Sequence, residues 1–187
     1  MNKFKIAGLV MAMGLATNLY ASDFSYNYID IALGKAESSD INSSTGDYSS
    51  FSGGFVFQDS LYFSLESTTY EYKNVDAETL QFGVGAYTPT TGNMDMYGTV
   101  RIANSEIGTV DESGYQIDVG LRTALTTHIE LDGRFKYHDV FDDSGIGYLA
   151  TARFYPAPQI SFGAGYEYYD FNDNDIYTVY ANFRYNF

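Results

Sequence analysis

The sequence has no cysteine, three prolines, two histidines and only ten lysines and arginines in 187 residues. Without cysteine there is no disulfide, no His/Cys metal cluster and no acylated lipoprotein N-terminus. The shortage of bases, set against 24 Asp and Glu, excludes a phosphate-neutralising nucleic-acid surface. It also leaves no surplus of cations to grip anionic lipid directly. Beyond the first 21 residues no stretch is long and apolar enough for a transmembrane helix, which needs about 20 apolar residues. No nucleotide-binding loop is present.

Tyrosine (19), phenylalanine (14) and glycine (18) are abundant instead. This composition suits many short strands with aromatic belts and does not suit a helical bundle. The chain opens with Lys3 and Lys5 before a short apolar run, Ile6 to Ala16. The expectation is a signal peptide over residues 1–21, cleaved after Ala21 and followed by one barrel domain over residues 22–187. Lys3 and Lys5 leave with the leader, so eight bases face 24 acids, a formal charge of −16.

Strand-like alternation runs through the rest of the chain. Ten segments carry it: Tyr26–Gly34, Tyr48–Phe57, Leu61–Tyr72, Thr79–Tyr87, Met94–Asn104, Gly114–Leu125, Ile129–His138, Ile146–Tyr155, Ile160–Tyr169 and Ile176–Phe187. Most are about 9–12 residues, the length a tilted strand needs to cross a bilayer. Short turns alternate with polar loops, among them Lys35–Asp47, Ser105–Ser113, Asp139–Gly145 and Asp170–Asp175. Pro89–Asn93 reads as a turn, and Pro156-Ala157-Pro158 as a break in the sheet. The pattern predicts an all-β, antiparallel transmembrane β-barrel of ten strands in up-and-down meander order, with eight strands as the alternative. An even count places both termini and the short turns on one side and the acidic loops on the other.

A soluble barrel also alternates, but its charges point outward. Here the charges share the face opposite the apolar one. Six bases lie there (Arg101, Arg122, Arg134, Lys136, Arg153, Arg184), and so do six acids (Asp30, Glu66, Asp118, Glu130, Asp132, Glu167). Equal numbers of opposite charge predict a lumen filled by ion pairs rather than an open pore. The remaining acids fall mainly in the outward loops. There they are solvated or bridge through divalent cations to the phosphates of lipopolysaccharide. Asp170–Asp175 lacks the spacing and closing Glu of a calcium loop, and no metal or cofactor is expected.

Candidate catalytic groups are few. His138 lies near Asp139, Asp142, Asp143 and Ser144, but neighbours along a strand point to opposite faces, so His138 and Asp139 need not meet. His128 falls in a turn. The expectation is a protein without turnover.

The closing strand, IYTVYANFRYNF, puts Tyr177, Val179, Phe183, Tyr185 and Phe187 on one face. It resembles the C-terminal signal that the barrel-insertion machinery reads in bacterial outer-membrane proteins. Ser25–Asp30 (SYNYID), Gly114–Arg122 (GYQIDVGLR) with Thr126–Tyr137, and Phe183–Phe187 (FRYNF) resemble the small opacity-type outer-membrane barrels, in particular the family named for an activator of plant immunity. The first strand departs from the family's Gly-rich version at Ile31, Ala32 and Leu33. The resemblance implies a protein of the outer membrane and its vesicles and carries over no catalytic residue; the expected state is a monomer, with outer-membrane lipid and lipopolysaccharide as surroundings. The resulting expectation is a structural or surface-interaction role. The alternatives are a narrow porin-like channel and, behind it, a surface protease or lipid-modifying enzyme using His138.

Overall fold

The computed structural model of the protein describes residues 24–39, 45–73, 75–140, 143–171 and 174–187. The expected leader, residues 1–21, lies outside the described residues. Ten strands follow one another: β1 (Tyr28–Ser38), β2 (Thr45–Gln58), β3 (Leu61–Tyr72), β4 (Val75–Thr91), β5 (Met94–Ile107), β6 (Val110–Thr126), β7 (Ile129–Val140), β8 (Asp143–Ala157), β9 (Ile160–Phe171) and β10 (Asn174–Asn186). Each pairs antiparallel with its sequence neighbours, and β1 pairs with β10 to close the barrel. The count is ten, not eight.

The strands run from 11 to 17 residues; β3 has the expected bounds and the other nine are longer than the alternation suggested. They run into segments expected to be loops. Lys35 lies on β1 opposite Asp47 on β2. Glu106 on β5 faces Asp111 on β6, and only two residues turn the chain between them. One is Gly108 at φ 63°, a left-handed conformation that favours glycine. Hydropathic alternation fades where both faces meet water, but the backbone ladder continues because each N–H and C=O still needs a partner.

The prolines also differ from expectation. β4 continues to Thr91 with a register shift between Pro89 and Thr91, and β8 continues to Ala157 with a shift between Phe154 and Ala157. Similar shifts stand between Val56 and Gln58 and between Ala124 and Thr126. All four sit beside the short turns on the side of the termini. Pro89 is the last regular pair before its shift and Pro156 lies inside the other, so both stand at irregular strand ends, where proline is tolerated as it is not in a regular strand.

Apolar side chains face outward: Leu33, Ile102 and Val179 are each more than 60% exposed. Phenylalanines mark the outer face towards the termini, with Phe57 stacked on Phe63 and Phe162 against Phe183. Tyrosines mark it towards the other rim, where Tyr148, Tyr166, Tyr168 and Tyr177 cluster. Asp, Arg, Gln and Thr are buried inside. A shell that is apolar outside and charged inside is stable in lipid and not in water.

The wall also explains the glycine content. Tyr28, Tyr62, Tyr97, Tyr169 and Tyr180 stand directly across the ladder from Gly54, Gly85, Gly120, Gly147 and Gly165. In each pair the tyrosine ring occupies the space a glycine Cβ would take.

Ile102→Arg tests the inverted shell. At an outward position near the middle of the barrel wall it should destabilise the protein in lipid vesicles by about 2–4 kcal/mol. In a water-soluble barrel the same change would stay within about 0.5 kcal/mol. Denaturant titration of the vesicle-inserted protein distinguishes the two.

Candidate functional site

The lumen gathers the twelve charges singled out in the sequence, all on inward-facing positions. They form two clusters and a latch. The first cluster centres on Glu66 of β3. Arg101 on β5 reaches it at 2.5 Å, Arg134 at 3.7 Å and Lys136 at 3.9 Å, the last two from β7. Arg101 also pairs with Asp118, and Lys136 with Glu167 on β9. The second cluster centres on Glu130. Arg122 donates to it from Nε and Nη2, both at 3.0 Å, a bidentate grip. Arg153 donates to Glu130 at 3.0 Å and to Asp132 at 3.3 Å, and the Tyr155 hydroxyl donates to Glu130 at 2.8 Å.

Tyr97 joins the two clusters. Its hydroxyl donates to Asp132 at 2.7 Å and accepts from Arg134 Nε at 3.0 Å. The latch spans the β1–β10 seam, where Asp30 Oδ2 accepts from Arg184 Nε and Asn182 Nδ2, each at 2.8 Å.

Three features went unread in the sequence. Asp95 is a seventh lumenal acid, only 1% exposed; its place beside the Pro89–Asn93 turn signal disguised it. A chain of amides lies towards the loop-side rim, Gln81 Nε2 to Gln116 Oε1 at 2.9 Å and Gln116 Nε2 to Asp118 at 2.7 Å. The N-terminal segment is the third. β1 begins at Tyr28 rather than Tyr26, and Phe24–Asn27 bends into the bore. Tyr26 is buried, stacked on Tyr87 with centroids 4.0 Å apart and 5.0 Å from Tyr62. Arg122 holds the segment, with its guanidinium over the Phe24 and Tyr26 rings and Nη1 donating to the Ser25 carbonyl at 2.9 Å.

These layers divide the bore. A cavity of about 420 Å³ opens on the side of the termini, bounded by Phe24, Ser25 and Arg122. A cavity of about 20 Å³ lies beyond Tyr26 and Arg122. A vestibule of about 140 Å³ occupies the loop-side end, with Glu66 and Glu167 in its lining. The vestibule and the small cavity share no lining residue; the Arg101–Glu66 pair stands between them.

His138 is buried in the vestibule wall, edge-on to Tyr169 with centroids 5.1 Å apart. Asp139 faces the other way, accepting from the Tyr115 hydroxyl at 3.0 Å, and Ser144 lies opposite Asp139 in the ladder. Asp139 and Ser144 thus share the face opposite to that of His138, whose own partner in the ladder is Gly145. His128 sits exposed in a turn beside Thr127. Of the expected loop acids, Asp40, Asp142 and Asp173 lie outside the described residues. Asp47 is on β2, paired at the surface with Lys35 at 2.5 Å. Among the described residues no three His, Cys, Asp or Glu side chains are grouped to hold a metal ion. The terminal-signal residues Tyr177, Val179, Phe183, Tyr185 and Phe187 all face outward.

No protein-family model matches the sequence, and no curated protein matches it. Solved structures do. An outer-membrane channel from Pseudomonas putida F1 superposes with a TM-score of 0.56 at 7% identity, over 90% of this chain and 99% of that one. The NanC porin superposes at 0.55 and 10% identity, over 84% and 100%. The β domain of the Bordetella autotransporter BrkA superposes at 0.54 and 10% identity, over 86% and 98%. At these identities the likeness concerns the fold, which is that of small outer-membrane β-barrels.

Two comparisons test the network. Arg101→Ala leaves the buried Asp118 and the half-buried Glu66 without their close partner and should cost about 3–5 kcal/mol in urea titration. Lys35→Ala breaks an exposed pair and should cost at most about 1 kcal/mol. Gly120→Val drives a side chain into the Tyr97 ring and should cost about 1–3 kcal/mol. Gly133→Val faces open space and should leave the unfolding midpoint unchanged or raised. Equal effects within either pair of variants would count against the arrangement.

Proposed function

We propose that this protein is an outer-membrane barrel closed along its bore, with a structural or surface-contact role rather than transport or turnover. The observation that carries this reading is the pair of layers across the lumen: the N-terminal segment clamped by Arg122, and the Glu66–Arg101 pair within its cluster. A continuous water path would have to break both. A working surface is then left at the loop-side rim, where Glu78 and Glu106 face each other across the β4–β5 ladder. Rim carboxylates of this kind suit divalent bridges to lipopolysaccharide phosphates, with the lipid supplying the remaining ligands. The motifs SYNYID, GYQIDVGLR and FRYNF support placing the chain with the opacity-type barrels, and the plant-immunity-activator group within them. The terminal strand supports recognition by the insertion machinery.

A narrow channel is the second reading, favoured by the cavities at both ends of the bore. Planar-bilayer recording separates the two. The refolded barrel, with folding verified by heat-modifiable gel migration, should give no conductance steps. Reproducible steps from the unaltered protein, altered in size when Arg101 or Arg122 is replaced, would overturn the closed reading.

A further inference from the structure

The small cavity between the two layers has an unusual lining. Its ten residues are four arginines (Arg101, Arg122, Arg134, Arg184), four tyrosines, one serine and one threonine. Every one is a guanidinium or hydroxyl group, and no carboxylate lines it. Guanidinium groups are donors only, and hydroxyls can donate. The acids that neutralise these arginines approach from elsewhere: Glu66 and Asp118 on Arg101, Glu130 on Arg122, Asp30 on Arg184. The cavity thus presents only guanidinium and hydroxyl groups, with the carboxylates that pair the arginines set outside its lining.

Two lining residues carry buried donors with no hydrogen-bond partner among the described residues, Arg101 Nε–H and the Tyr26 hydroxyl. Both residues are more than nine-tenths buried. A buried N–H or O–H left unmade costs about 1–3 kcal/mol, more when the group is charged. Both residues line the cavity, so an acceptor bound there is a candidate partner for each donor. The volume, about 20 Å³, exceeds the roughly 10–15 Å³ a water molecule needs and leaves no room for a polyatomic anion with its own shell.

We propose that this cavity binds a single small monovalent anion, a chloride ion, held by the converging arginines and by Tyr26. Chloride accepts from several donors at once and offers none. A water molecule would need its two hydrogens taken up by the hydroxyl oxygens of the lining, such as those of Ser64 and Thr99. Tyr26 belongs to the N-terminal segment, so the ion would also fasten that segment in the bore.

Crystals of the complete barrel grown with bromide replacing chloride, measured at the bromine edge, test the site directly. The expected result is an anomalous peak in the cavity within contact distance of Arg101 and Tyr26. A water-sized peak with no anomalous signal would overturn the proposal. In solution, thermal unfolding of the detergent-folded barrel should have a higher midpoint in sodium chloride than in sodium gluconate at equal ionic strength. Tyr26→Phe keeps the ring and its stacking but removes the donor, and should abolish most of that difference. Tyr185→Phe on the outer face should retain it. Equal midpoints of the unaltered protein in the two salts, or an undiminished difference in Tyr26→Phe, would count against a bound anion.

Discussion

Paired charge inside a lipid-embedded wall is the constraint on which this structure depends. Lipid solvates the outer face, so every ionisable group must either rise to a rim or turn inward. Inside, little water is left to hydrate an isolated ion, and leaving one uncompensated costs several kcal/mol. The chain meets this by contiguity. Glu66 is shared by three cations, Glu130 by two, and Asp30 by an arginine and an amide. The pairs reach beyond adjacent strands: Arg101 on β5 finds Glu66 on β3, and Lys136 on β7 finds Glu167 on β9. Side chains that bridge across the bore tie the wall together where the backbone ladder cannot.

Tyrosine does the rest of the filling, and glycine makes that possible. A ring lying over a glycine stays close to the wall, so its hydroxyl can enter the polar network without blocking its neighbours. Tyr97 is the clearest case, seated on Gly120 and linking Arg134 to Asp132. The N-terminal segment uses the same materials. Tyr26 enters a group formed by Tyr62, Tyr87 and Tyr97, and Arg122 closes over it. Ion pairs, aromatic seats and the inserted segment form one connected interior rather than three separate devices.

The division between lipid and lumen was legible in the sequence because alternation in a strand is strict: one face is apolar, the other is not. The twelve lumenal charges followed from that parity alone, as did the separation of His138 from Asp139. The partners did not. Which acid meets which base depends on the stagger of strands and on reach across the bore, and local pattern encodes neither. Strand ends were misread for a related reason. Polar residues such as Glu106, Asp111 and Asp47 look like loop when hydropathy is the guide, but they continue a hydrogen-bonded ladder. Asp95 stands beside turn-forming residues, where the alternation does not show which way it faces. The role of Tyr26 was hidden because aromatics in such a sequence suggest a lipid-facing belt. The repeated Tyr–Gly pairing was the available signal for rings inside.

The seam between β1 and β10 has a consequence for how the barrel comes to exist. Every other ladder joins neighbours in the chain and can form as a local hairpin. The Asp30–Arg184 contact joins residues 154 apart, so it forms only after the whole sheet has curled round. Loop-closure entropy rises only slowly with length, but it must be overcome before the long-range contacts compensate, and such topologies fold slowly. Until then both edge strands present unpaired backbone groups, which neither lipid nor the half-formed lumen can satisfy. An open sheet of this sequence is therefore the species most exposed to pairing with another chain, and an assembly factor would have most to protect at the two edges that finally meet.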